Sequence, residues 1–265
     1  MSPPLIAGLA LAGMLLGWPI RAVIFRYAVP SGDPPRRSCP ACGYPPAPAE
    51  PAGLERESRL LGIAGFSGRC RACRARTGPP LLAVAVGTAV VFGALAARVH
   101  PGLVFAAACW LAACAAPLAF IDAAVHRLPD LLVVPAYAGT AVLLLAAAAT
   151  GGSEPAVLAA AATGSSWPVW LRAILGGLAL AAFYLALLLV SPSAMGLGDV
   201  KLAASLGTLL AWFGWRTLIA GGFGGFALAG LYGAALLLTH RATRKQQIPF
   251  GPFMILGAFL VILIH

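Results

Sequence analysis

The chain has 265 residues, 60% of them hydrophobic and only 10% charged, with a formal net charge of +10 and a mean hydropathy of +0.90. A soluble domain carries about a quarter charged residues, so this composition excludes an ordinary soluble enzyme and points to a polytopic membrane protein. The apolar runs are continuous Ala, Leu, Val and Gly rather than alternating segments of about ten residues, which favours helices over a barrel.

The first predicted helix covers 5–25. No basic region precedes its run "LIAGLALAGMLLGW", so it reads as a membrane helix with its N-terminus outside, not as a cleaved signal. Residues 30–79 follow as the one sizeable soluble piece, rich in Pro, Arg and Glu. About 50 residues cannot build much of a core without a staple. Cys39 and Cys42 in "CPACG", with Cys70 and Cys73 in "CRAC", form two C-x-x-C knuckles that match a four-thiolate zinc site. Such a site is structural, since four thiolates leave no open position. The alternative is a set of redox-active or idle thiols, which a reducing compartment disfavours as disulfides.

Seven further helices are predicted near 80–97, 102–121, 131–149, 171–190, 199–213, 217–238 and 250–264. The sixth of the eight is short for a span and the eighth marginal, so seven spans stay open beside eight. Residues 150–169 read as an external loop whose middle could form a short interfacial helix. The expected fold is all-α: a polytopic helical bundle of about eight transmembrane helices with a small zinc-knuckle loop. Its parts are a first helix in 1–29, the cysteine loop in 30–79 and a membrane core in 80–265. Cys109 and Cys114 are expected to be small buried hydrophobes.

Eight spans also sort the charges. With 30–79 in the cytoplasm, Arg21, Arg26, the eight arginines of that segment, Arg127, Lys201, Arg241, Arg244 and Lys245 fall inside, and only Arg98, Arg172 and Arg216 outside. This is the positive-inside bias, so the net charge is a topology signal. Contact with anionic lipid headgroups is expected. No basic stripe with interleaved aromatics suggests nucleic acid.

Of eight acidic residues, Asp33, Glu50, Glu55 and Glu57 belong to the soluble loop and Glu154 to the outer one. Asp122, Asp130 and Asp199 remain. Asp122 ends the third predicted helix and Asp199 opens the sixth, and the topology returns both to the cytoplasmic side. Ionisable residues at membrane depth are costly and usually face a bundle interior or a wet cavity. Two carboxyls a few ångströms apart do not both ionise cheaply, so the pair would hold one proton between them. The charged member could then take a proton from water as that water attacks a peptide carbonyl, and the neutral member could donate to the carbonyl oxygen. That is aspartic proteolysis, with no metal or cofactor. Gly196 and Gly198 would allow unusual backbone conformations and close approach of a substrate strand. Equally, they could only break a helix that Asp199 then caps. Lys201 could snorkel to headgroups or hold the field around Asp199. Asp130 reads as the N-cap of the fourth helix, and His126 as a surface or capping residue.

The residues resemble those of the bacterial type IV prepilin peptidases, membrane aspartic proteases with a glycine-x-glycine-aspartate motif. "MGLGDVKLAASLG" is similar to the family's second catalytic motif. "FIDAAVHRLPDLLVVP" is similar to the first, with Leu128, Pro129 and Asp130 at its turn. "IPFGPFMILGAF" resembles the C-terminal segment, and "CPACG" with "GRCRAC" the cysteine knuckles. The resemblance implies Asp122 and Asp199 as the catalytic pair, supported by Gly196, Gly198, Lys201, Leu128, Pro129 and Asp130. It implies removal of a basic leader from prepilins or pseudopilins at the cytoplasmic face of the bacterial inner membrane, in the service of type IV pili or protein secretion. Many such enzymes also methylate the new N-terminus using S-adenosylmethionine, a function tied to the cysteine loop. The sequence departs from the pattern in "RARTGPPLLAVAVG", which lacks the usual Tyr-Pro and Glu, and between the knuckles. The rival readings are an ion- or proton-coupled transporter with Asp122 and Asp199 as relay groups, and an inactive or methylating-only scaffold.

Overall fold

The computed structural model describes residues 2–44, 67–150, 168–192, 195–239 and 249–264. Among these every regular element is a helix, apart from an isolated bridge between Arg69 and Arg76 in the cysteine loop. The helices are α1 (Pro3–Tyr27), α2 (Leu81–Arg98), α3 (Leu103–Val125), α4 (Asp130–Ala149), α5 (Val169–Val190), α6 (Leu197–Phe213), α7 (Trp215–Leu238) and α8 (Gly251–Ile264). All eight expected helices are present. Six are long and apolar enough to cross a membrane; α6, with 17 residues, and α8, with 14, are the short ones. The stretch between the knuckles with Glu50, Glu55 and Glu57, the expected interfacial helix with Glu154, and Arg241, Arg244 and Lys245 lie outside the described residues.

Lipid is as apolar as leucine, so the helices cannot pack by the hydrophobic effect alone and rely on close contact between small residues. Three antiparallel seams show this. On α1, Gly17 lies so near α2 that a Cβ there would come within 2.5 Å of the Ala85 Cα, and one turn away the Thr88 hydroxyl donates to the Gly13 carbonyl at 2.6 Å. On α5, Gly176 and Gly177 receive Ala211 and Thr208 of α6. On α8, Gly257 sits against the backbone of Gly225 on α7. Large apolar side chains such as Leu15, Leu82, Val142 and Leu178 point outward, as expected of a chain solvated by lipid. The inward faces of the helices share one core, with Leu111, Leu118, Leu202 and Trp212 fully buried. Cys109 and Cys114 are only half-buried and pack against the edge of this core.

One end of the bundle gathers the starts of α4, α6 and α8 and the ends of α1 and α3. Phe25, near the end of α1, packs on Cys39 and Cys70 and so seats the cysteine loop there. Arg127, just after α3, donates to the Pro30 carbonyl at 3.0 Å and ties the same loop to the α3–α4 turn.

Candidate active site

Asp122 lies inside α3, which runs on to Val125; it does not end that helix. His126 closes α3 in the left-handed conformation (φ 51°), so it caps the helix through its backbone and its ring stays exposed. Asp199 is the third residue of α6. Both carboxylates are buried, at 5% and 7% exposure, and near enough for their charges to interact. Each has one oxygen held by a glycine N–H. Gly251, the first residue of α8, donates to Asp122 Oδ2 at 2.9 Å, and Gly196, the residue before α6, donates to Asp199 Oδ2 at 2.9 Å. Helix starts have unsatisfied N–H groups and a positive end, so these are natural places to seat a carboxylate. Asp199 therefore does cap α6, but with one oxygen only. Its other oxygen, Oδ1, is buried with no hydrogen-bond partner among the described residues. A buried carboxylate oxygen without a partner is costly.

The glycine expectation is corrected. Gly196 is extended (φ −102°), a conformation open to any residue, and Gly198 lies within α6. Neither has positive φ. Gly198 is needed for packing: a Cβ there would lie 2.6 Å from Leu128 Cβ in the α3–α4 turn. Asp130 is not the N-cap of α4; Pro129 holds that place through its backbone, and Asp130 is the first helical residue. Its side chain instead accepts Lys201 Nζ at 2.7 Å. Lys201 thus has a carboxylate partner on another helix, α4. Leu128 and Pro129 are buried in the α3–α4 turn.

The sequence did not single out Gly251, nor an aromatic cluster beside the carboxylates. Tyr184 on α5, within electrostatic reach of Asp199, packs against Phe226 on α7 and Phe250 just before α8, with ring centroids 5.4 and 5.8 Å away. The segment "IPFGP" does contain Phe250 and Gly251, but nothing local tells where their backbone points. A cavity of about 460 Å³ opens beside Gly198; its walls include Leu128 and Leu197 on one side and Tyr27 and Asp33 on the other.

The four knuckle sulfurs lie within 4.8 Å of one another. Cys39 and Cys73 are 3.7 Å apart and Cys42 and Cys70 3.9 Å. A tetrahedron with Zn–S bonds of about 2.3 Å has edges of about 3.8 Å, so the residues fit zinc. Burial raises the Cys39 thiol, but the N–H groups of Ala41 and Cys42 and the thiols of Cys70 and Cys42 outweigh it and bring it down to about 7. The Tyr44 N–H lowers the neighbouring Cys42 thiol, but the sulfurs of Cys73, Cys39 and Cys70 crowd it and share their protons with it, and it is pushed the other way, up to about 12.

Fold and site together define a multi-pass helical membrane protein with two buried carboxylates gathered at one end, next to a four-cysteine cluster. The chain is 31% identical over 230 residues to the prepilin leader peptidase/N-methyltransferase of Aeromonas salmonicida, covering 86% of this chain and 71% of that protein. It is 30% identical over 232 residues to the protein of the same name from Pseudomonas aeruginosa, with 86% and 71% covered. For the Bacillus subtilis protein of that name the identity is 29% over 232 residues, with 86% and 82% covered. The chain belongs to the prepilin leader peptidase family and is a multi-pass bacterial membrane enzyme. No family model and no solved structure matches it.

Proposed function

We propose that the chain is a membrane-embedded aspartic endopeptidase that removes the leader from type IV prepilins or pseudopilins at the cytoplasmic face of the inner membrane. The observation that carries this reading is the meeting of Asp122 and Asp199, 77 positions apart in sequence, with one buried oxygen of Asp199 left without a partner. The glycine N–H groups fix the angle of each carboxylate and leave the opposite oxygen for a water. The ionised carboxylate takes a proton from that water as its oxygen attacks the peptide carbonyl, while the protonated one donates to the carbonyl oxygen. Collapse of the tetrahedral species breaks the C–N bond, and the proton gained from water passes to the leaving amine. Gly198 and Leu128 hold the two motifs in contact.

The cytoplasmic orientation rests on the distribution of Lys and Arg, with the N-terminus of α1 outside. Cys39, Cys42, Cys70 and Cys73 would hold zinc, which supplies a structural cross-link to the loop and no step of the hydrolysis. The peptide-cutting name of the relatives favours this over the transporter reading, which nothing supports. Their name also includes N-methyltransferase; whether this chain adds a methyl group is read from the mass of the mature N-terminus.

Co-expression with a prepilin tests the reading. Leader removal appears as a shift in size, and Asp122→Asn or Asp199→Asn each abolishes it while the protein still inserts. Cleavage that survives both substitutions refutes the assignment.

A further inference from the structure

Asp122 and Asp199 stand on different helices, and their spacing depends on how the α3–α4 turn meets the start of α6. Two contacts join these elements directly. Leu128 packs on Gly198, and Lys201 Nζ donates to Asp130 Oδ1 at 2.7 Å. Residues two apart on a helix point to different sides, so Lys201 faces away from Asp199. A cation in the second turn of a helix gains nothing from that helix's dipole, whose positive end is close by. Asp130, by contrast, opens α4, where a carboxylate is favoured. The ammonium is therefore placed for its partner on α4 and not for its own helix.

We propose that the Lys201–Asp130 pair is a clamp that sets the distance between the two site carboxylates, which makes both of them positioning residues. This rests on the peptidase reading. With side-chain exposures of 48% and 64%, the pair adds little to stability. What it fixes is the angle of the first turn of α6. A displacement on the order of 1 Å at reacting groups can cost about 100-fold in rate. A lysine reaching for anionic headgroups would act alike with or without Asp130; a clamp needs both ends.

The test is a double-mutant cycle on the full-length protein: Lys201→Met, Asp130→Asn and both together, with Lys201→Arg as the conservative variant. The protein is reconstituted with a prepilin in vesicles containing phosphatidylglycerol and, separately, in phosphatidylcholine alone. Each single change should lower kcat about tenfold with KM within about twofold, and the double change should be no worse than either single. Lys201→Arg should keep at least about half of the rate. Melting temperatures of the same set in detergent should stay within about 3 °C of the wild type, since the pair adds little to stability; a large drop would make the rate loss one of folding and overturn the clamp. Additive effects on kcat overturn the clamp. So does Asp130→Asn at the wild-type rate, or a Lys201→Met defect that vanishes in phosphatidylcholine, which would assign Lys201 to headgroups. Failure of the peptidase reading shows separately, as cleavage retained by Asp122→Asn and Asp199→Asn, whereas failure of the clamp alone leaves those two variants inactive.

Discussion

Gly251→Ala is the sharpest single perturbation of the site, because it alters no charged group. A Cβ at Gly251 would lie 2.9 Å from Asp122 Oδ2 and 3.2 Å from its Cγ. Ordinary van der Waals contact needs about 3.5 Å, so the carboxylate or the start of α8 must retreat by about half an ångström. The hydrogen bond now at 2.9 Å then lengthens to the edge of useful geometry. Bonds to charged groups are worth about 1.5–3 kcal/mol, and a half-ångström error at a reacting group costs about 10- to 100-fold in rate. Leader removal in vesicles should therefore fall by about that factor, mainly in kcat, with the protein inserting at its usual level. Gly230→Ala on α7 is the control: nothing stands within 4 Å of its Cβ. That change should leave the rate alone and stabilise slightly, by about 0.4–1 kcal/mol. A wild-type rate for Gly251→Ala would mean that Asp122 is not held from α8, and the geometry argued for the site would fall with it.

The two glycines of the "MGLGD" motif should part company. Gly196→Ala puts its Cβ 3.7 Å from Asp199 Oδ2 and should cut at near the wild-type rate, whereas Gly198→Ala runs into Leu128 Cβ at 2.6 Å and should lose about tenfold or more; equal effects in a cleavage assay would contradict this. Zinc should copurify with the protein and be lost when Cys39 and Cys42 are both changed to Ser, since only two of the four thiolates then remain. Equal metal in the wild type and in that variant, measured by elemental analysis after dialysis, would count against a four-thiolate site. Arg172 on α5 donates to the carbonyls of Ala211 and Trp212 at the end of α6, at 2.9 and 2.7 Å. Arg172→Met should cost about 1–3 kcal/mol in a detergent melt while kcat holds, because that end of α6 is far along the helix from Asp199.

What the sequence made legible follows from the range of each interaction. The eight helices were readable to within a few residues because membrane insertion is a property of local composition. The knuckles were readable because a metal imposes its spacing on neighbours in sequence. Asp122 and Asp199 were readable as unusual because a carboxylate in so apolar a chain needs a reason. The roles of Lys201 and Gly251 were not. The partner of Lys201 is 71 positions away and that of Gly251 is 129 positions away, so no local pattern reports either contact. Asp130 misled for a related reason. A carboxylate at a helix start is normally read as a cap, but here the backbone of Pro129 fills that place and frees the side chain to reach α6.

The same reasoning changes what glycine means at this site. Both carboxylates are oriented by a backbone N–H, and both donors belong to glycines at helix starts. A side-chain donor could be deleted by substitution at its own position; a backbone donor cannot. It can be displaced only through the space around it. At Gly196 that space would admit a methyl group, and at Gly251 it would not. The glycine that sequence spacing points to most strongly is thus the more replaceable of the two donors. The constraint falls instead on a residue outside the motif, where the start of the last helix closes over Asp122.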